Sequence, residues 1–233
     1  MMAMLLAAGR GERMRPLTDH IPKPLLQAGG KPLIVWHIEN LVKAGVRELI
    51  VNHAHLGALI EQTLGDGRQF GAHIRYSAEE HALETAGGIA YALPLLGDAP
   101  FAVVNSDIFC DYDFARLPER AAALQASGDA AHLVLVDNPA HHPNGDFCLQ
   151  DGRIISGNGV SPLLTFSGIG LYRPSLFNGI PRGSTAPLAP LLRSQIALGK
   201  VIGEHHRGLW MDIGTPQRLA ELDSRIRSLQ NTP

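Results

Sequence analysis

Residues 3–25 read AMLLAAGRGERMRPLTDHIPKPL, and this stretch decides the fold. Ala3 to Ala8 is a short, continuous apolar run ending at glycine, the pattern of a buried parallel strand. The chain passes at once into a loop carrying Gly9, Gly11, Arg10, Arg13 and Arg15, and Pro22 and Pro24 then flank Lys23. Glycine lets a backbone approach a ligand closely. A guanidinium offers phosphate a planar fork and an ammonium a compact charge. Prolines on both sides of Lys23 bias their neighbours to extended geometry and hold the lysine stem in one direction. A strand that empties into a glycine-containing, cationic loop presents N–H groups and positive charge to a phosphate chain. GRGER alone also reads as a surface turn, and no Gly-Lys-Ser/Thr follows, so this is not a Walker A loop.

Outward from this stretch, strand and helix patterns alternate. Further strands are predicted over Glu48–Asn52, His73–Ser77, Pro100–Asn105 and Ala131–Val136. Helices are predicted from Pro32 to a stop at Gly45, then over His55–Leu64, Glu84–Leu96 and Phe114–Ser127. That order argues for an α/β fold with a doubly wound, mostly parallel sheet whose strand C-termini share one ligand-binding edge. The second half changes character. It reads as a hairpin, Asp146–Gln150 and Arg153–Ser156 around Asp151-Gly152, then a strand over Leu164–Tyr172 and a helix over Pro187–Leu198. Short strands at Lys200–His205 and Trp210–Asp212 and a helix over Pro216–Leu229 close the chain. We expect one domain over 1–233, with residues 1–136 as the nucleotide-binding βαβ core. Residues 137–233 are expected to form a small mixed β region over the sugar side that completes the metal site.

With 233 residues, 45% hydrophobic, the chain is long enough for one large core. A net charge of −2 gives no electrostatic ground for a nucleic-acid or membrane partner, so the loop cations are a local feature. No apolar run approaches a membrane span or a signal-peptide core, and the two cysteines, Cys110 and Cys148, read as reduced thiols. A cytoplasmic, monomeric protein is expected. The eleven histidines show no metal-ligand spacing.

Asp107 and Asp212 each lie where a buried strand breaks into a turn. For either alone, capping a turn is the simpler reading. Two such carboxylates converging on one point suit Mg²⁺, which commonly takes one or two carboxylates plus phosphate oxygens and water.

The string LAAGRGERMRPLTDHIPKPLL, with NSD at Asn105–Asp107, SGIGLY at Ser167–Tyr172 and WMDIGTP at Trp210–Pro216, resembles the sugar-1-phosphate nucleotidyltransferases over nearly the whole chain. Within that family the chain is similar to the bacterial cell-wall-recycling branch, which uses UTP and N-acetylmuramate α-1-phosphate. The resemblance implies a Rossmann-like fold and Mg²⁺ held by Asp107 and Asp212, with Lys23, Arg13 and Asp107 as the catalytic set. It implies nucleotide contacts from Ala8, Gly9, Gly11, Glu12, Arg13, Lys23, Glu80, Thr85 and Gly88. It implies sugar contacts from Asn105, Gly145, Asp146, Asn158, Ser167 and Gly168. Glu84 stands where relatives often have glycine. SGNG at 156–159 replaces a common Glu-Lys-Pro, which argues against an ordinary glucose-1-phosphate enzyme and leaves room for a lactyl ether. Arg182, Arg193, His205, His206 and Arg207 are all eligible to meet the lactyl carboxylate. The alternatives are a mannose- or glucose-1-phosphate nucleotidyltransferase and, more remotely, a non-catalytic sugar-nucleotide-binding subunit.

Overall fold

The computed structural model of the protein describes residues 1–155 and 162–230. The first half runs β1 (Met2–Leu6), a short pair β2 (Gln27–Ala28) and β3 (Lys31–Pro32), α1 (Leu33–Lys43), β4 (Glu48–His53), α2 (Gly57–Leu64), β5 (His73–Ala78), α3 (Glu84–Leu96), β6 (Phe101–Asn105), β7 (Ile108–Cys110), α4 (Leu117–Ser127) and β8 (Ala131–Val136). The second half adds β9 (Cys148–Gln150), β10 (Arg153–Ile155), β11 (Thr165–Tyr172), α5 (Leu188–Ala197), β12 (Val201–His206), β13 (Trp210–Asp212) and α6 (Pro216–Gln230).

Nine of these strands form one sheet in the order β5-β4-β1-β6-β11-β8-β12-β10-β9. β5, β4, β1 and β6 are parallel, as the alternation requires. Successive residues of a strand face opposite sides of a sheet. Ala3 and Leu5 of β1 accordingly join one core with Ile34 and Ile38 of α1, while Met4 joins the other with Ile89 of α3 and Leu192 of α5. Burial on both faces is why β1 reads as an unbroken apolar run. A third cluster, with Met14, Leu26 and Leu33 against Ile213, Leu222 and Ile226, clamps the closing helix onto the N-terminal loop. The Asp223 carboxylate accepts the Gly29 amide at 2.7 Å in the same seam.

The structure corrects several expected bounds. β1 stops at Leu6, leaving Ala7 and Ala8 in the loop. α2 starts at Gly57 because Leu56 has left-handed backbone, φ 53°. Residues Phe114–Arg116 form a 3₁₀ turn ahead of α4. The short strand at Trp210–Asp212 is present as expected; β2, β3 and β7, and the pairing of β7 with β13, were not foreseen, since strands of two or three residues show no periodicity. Beyond residue 136, β9–β12 belong to the same nine-stranded sheet, which they make mixed, while β13 pairs with β7 in a separate ribbon. β11 lies antiparallel between β6 and β8, and β12 runs parallel to β8. Reversal of β11 brings its N-terminal end to the edge where the parallel strands end. The Asp151-Gly152 hairpin turn is present, pairing Gln150 with Arg153. Both cysteines are free and buried. No helix among the described residues is long and apolar enough to cross a membrane.

A buried histidine and a partly buried carboxylate tie the fold to pH. Burial pushes the His37 imidazole down to about 4; its Nε2–H donates to the Ile108 carbonyl at 2.8 Å. Burial pushes the Glu204 carboxyl up, but hydrogen bonds from His132 and Tyr112 and the Arg116 charge together hold it down at about 2. A histidine with a depressed folded value contributes fully above its unfolded pKa. Its contribution falls as pH drops from about 6.5 towards 4. The Glu204 contribution is intact above the ordinary carboxyl value of 4.5 and is lost as pH falls towards about 2. Glu204→Gln is therefore expected to cost about 2 kcal/mol at neutral pH and to flatten the stability profile below pH ~4.5. Urea unfolding across pH checks this, and an unchanged acid limb contradicts it. Separately, Glu84 holds φ 59° at the start of α3, a conformation that suits glycine. Glu84→Gly is expected to stabilise the fold by about 1 kcal/mol in the same assay, and a loss of stability contradicts that.

Candidate active site

The parallel strands reach their C-terminal edge in the order β5-β4-β1-β6. The connection from β1 leads to β4 on one side, and β6 pairs on the other, which makes the β1/β6 boundary the crevice where such sheets bind ligands. There the strand exits are tied together. The Asn52 side-chain carbonyl accepts the Ala7 amide at 2.9 Å, and the Ser106 hydroxyl donates to the Leu6 carbonyl at 2.5 Å. A cleft of about 210 Å³ opens above them, lined by Ala8, Gly9, Lys23, Thr85, Asn105 and Asp107 among others.

The loop after β1 is shaped by Gly11, at φ 68°. A Cβ there would lie 3.0 Å from Thr18 Cγ2 and 3.1 Å from Lys23 Cβ, so the missing side chain is what lets the lysine stem pack beneath the loop. The Gly11 carbonyl accepts the Thr18 hydroxyl at 2.9 Å. The amides of Gly9, Arg10 and Gly11 donate to no described residue, so they remain free for an anion. Lys23 is 8% exposed, and its Nζ donates to Asp107 Oδ2 at 2.5 Å.

Asp107 and Asp212 arrive through the ribbon β7–β13. Asp212 pairs with Ile108, and the Ile213 amide donates to the Asp107 carbonyl at 2.7 Å. Asp212 Oδ1 accepts from Arg218, and His141 Nε2, which accepts from the same guanidinium at 2.8 Å, stands 2.7 Å from it. A Cβ on Gly214 would stand 3.2 Å from Arg13 Nη2, 3.1 Å from Asp212 Oδ2 and 2.9 Å from an Arg218 nitrogen. One loop thus reaches both acids: Gly11 packs on the lysine that holds Asp107, and Arg13 stands beside Asp212. The two carboxylates give hard oxygen donors at adjacent ends of one ribbon, which fits Mg²⁺.

A second hollow, about 440 Å³, shares Glu84, Thr85 and Asn105 with the first and continues past Asp146, Phe147, Phe166, Leu188 and Arg193. Asn105 is set by a bulge in β11, where the register shifts between Phe166 and Ile169. Gly168, φ 84°, leaves the space that the Asn105 side chain fills; a Cβ would come within 2.8 Å of its nitrogen. Asp146 is positioned by His142 at 3.0 Å and by the Phe166 amide at 2.8 Å.

Other expected residues are placed differently. Glu12 is exposed and pairs with Arg10 at 3.4 Å. Glu80 points to solvent, while its neighbour Glu79 is buried, accepting from Asn52 at 2.6 Å and from the Leu83 amide at 3.0 Å. Burial pushes the Glu79 carboxyl up. Gly88 lies on this pair: a Cβ would be 2.7 Å from Glu79 Oε1. Ser167 is 1% exposed; its hydroxyl accepts the Ile169 amide rather than facing the hollow. Gly145 packs against Asn138 and Leu163 behind Asp146. Asn158 and the 156–159 segment lie outside the described residues. Arg218, His141, Asn52 and Glu79 had not been expected at the site.

The nucleotidyl transferase family model matches residues 2–154. The chain is 54% identical to an N-acetylmuramate alpha-1-phosphate uridylyltransferase of Neisseria meningitidis, over 95% of this chain and 96% of that one. It is 36% identical to the enzyme of the same name from Caulobacter vibrioides, over 96% of each. A mannose-1-phosphate guanyltransferase of Hypocrea jecorina is 32% identical over 93% of this chain and 62% of its own. In fold, the chain is similar to a Bacillus anthracis structure described as a glucose-1-phosphate thymidylyltransferase with sucrose (TM-score 0.84, 20% identity, 97% and 96% covered). With the family model covering more than half of the sequence and two relatives aligned along nearly all of it, the chain belongs to the nucleotidyl transferase family.

Proposed function

We propose that the protein transfers UMP from UTP to N-acetylmuramate α-1-phosphate, giving UDP-N-acetylmuramate and pyrophosphate, as a step of peptidoglycan recycling. The observation that carries this reading is the seating of Lys23 on Asp107 at the mouth of the β1/β6 crevice, with Arg13 and Asp212 both beside Gly214. The choice of UTP and of this sugar phosphate is supported by the 54%-identical meningococcal relative.

In this chemistry an oxygen of the sugar phosphate forms a bond to the α-phosphorus while the bond from that phosphorus to the α,β-bridging oxygen breaks. The electron pair leaves with pyrophosphate. The nucleophile is already an anion, so no side chain has to remove a proton. The site must bring anions together and neutralise them. Lys23, buried and fixed by its prolines and by Gly11, places one positive charge where the two phosphates approach. The free amides of Gly9, Arg10 and Gly11 face the departing phosphates, and Arg13 adds a fork on the same side. Asn105, at the junction of the two hollows, orients the sugar between them. Asp107 and Asp212 would hold Mg²⁺, which when bound supplies further neutralisation of charge on the transferred phosphoryl group. Asn52 and Glu79 brace the floor under Gly88, the segment we assign to the base.

Pyrophosphate release from a panel of nucleotides and sugar phosphates tests the assignment. UTP with N-acetylmuramate α-1-phosphate is expected to be the best pair, and GTP with mannose-1-phosphate outperforming it contradicts the reading. Lys23→Ala is expected to lower kcat about 100- to 1000-fold with little change in melting temperature. Turnover within threefold of the parent removes the lysine from the mechanism. Asp107→Asn is expected to weaken Mg²⁺ activation, raising the metal concentration needed for half-maximal rate; an unchanged Mg²⁺ titration contradicts its role.

A further inference from the structure

We infer that Arg193 is the residue that recognises the lactyl carboxylate of the sugar, and so distinguishes N-acetylmuramate from N-acetylglucosamine. The inference rests on the function proposed above and adds a specificity-determining residue to it. Five cations were eligible from sequence, and the structure separates them. His205 is engaged with Asp137 at 2.9 Å and His206 with Asp111 at 2.8 Å. Arg182 lies over the Tyr91 ring at 4.6 Å. Arg207 borders a different hollow, formed with Asp137, Asn138 and Leu149, which shares no lining residue with the phosphate cleft. Arg193 alone of the five lines the hollow that continues from the phosphate cleft through Glu84, Thr85 and Asn105.

Its surroundings suit a lactyl group. Arg193 is exposed on α5 and pairs with no described residue, so its guanidinium carries donors ready for a carboxylate. Leu188, Ala189 and Leu192 of the same helix, with Phe147 and Phe166 opposite, line the same hollow. A lactyl ether is a methyl and a carboxylate on one carbon, so it needs an apolar wall with one cation on it. Two carboxylates border the same space. Asp146 is occupied by His142 and the Phe166 amide, and Glu84 stands at the other end, at the junction with the phosphate cleft. Their negative charge raises the need for a cation here, since a third carboxylate without one would be repelled. A fork-to-carboxylate pair in a partly enclosed hollow is geometrically selective in a way a lysine is not.

The test uses UDP-N-acetylmuramate and UDP-N-acetylglucosamine, which differ only by the lactyl ether and share every nucleotide contact. Dissociation constants are measured by calorimetry for the full-length protein and for Arg193→Gln, Arg193→Lys and Arg207→Gln. The parent protein is expected to bind the lactyl-bearing nucleotide about 10- to 100-fold more tightly, the worth of one charge-assisted pair. Arg193→Gln is expected to bring the two constants within threefold, Arg193→Lys to recover part of the difference, and Arg207→Gln to keep it. The comparison is internal, since a misfolded variant loses both ligands together. If the parent discriminates and Arg193→Gln still does, the assignment of Arg193 is overturned while the substrate reading stands. If the parent itself binds both equally, the substrate reading fails, and this assignment with it.

Discussion

The ion pair between Lys23 and Asp107 is the constraint around which the rest of the site is arranged. It joins the loop after the first strand to the turn after β6, and both partners stand at the mouth of the same crevice. A buried lysine is costly unless paired, so the fold around it must supply the partner with little freedom left. Gly11 clears the space for its stem, two prolines fix its backbone, and the β1/β6 pairing sets where Asp107 emerges. A charge held this way does not have to reorganise when a phosphate arrives, which is the condition for electrostatic catalysis.

The closing helix belongs to the same constraint. α6 packs on Met14, Leu26 and Leu33, so the last element of the chain braces the first loop. Through Gly214 it also brings Arg218 to Asp212, next to Arg13. The site is therefore assembled from the start, the middle and the end of the chain, and its charges alternate: lysine against Asp107, arginines and a histidine against Asp212. Such alternation leaves a net positive rim for a polyphosphate.

Much of this was legible in sequence because it is local. β1 is buried on both faces and so is apolar at every position; the loop after it needs glycine at φ 68° and therefore shows glycine. The Asp-Gly turn announces the β9–β10 hairpin for the same kind of reason. What periodicity does not report is which strand lies beside which. The insertion of β11 between β6 and β8 reverses one strand in mid-sheet and brings Phe166 and the bulge at Gly168 to the ligand edge, and no local pattern encodes it. The partners of Asp212 were hidden likewise: His141 and Arg218 lie on different segments and meet only in three dimensions. Glu79 was not readable either. The alternation Ile74, Tyr76, Ala78 would turn position 80 inward, but burial in β5 breaks step at Ser77, and Glu79 is the acid that ends up buried. Glu84 also escapes the local pattern: a glutamate holds a backbone that suits glycine, φ 59°, and sits where the two hollows meet.

The most direct measurement is a crystal structure of the protein with UDP-N-acetylmuramate and Mg²⁺. The account predicts the diphosphate within hydrogen-bonding distance of Lys23 Nζ and the metal on Asp107 and Asp212, with the sugar reaching past Asn105 towards Arg193. A diphosphate bound away from Lys23, or a metal ligated by neither aspartate, would contradict it.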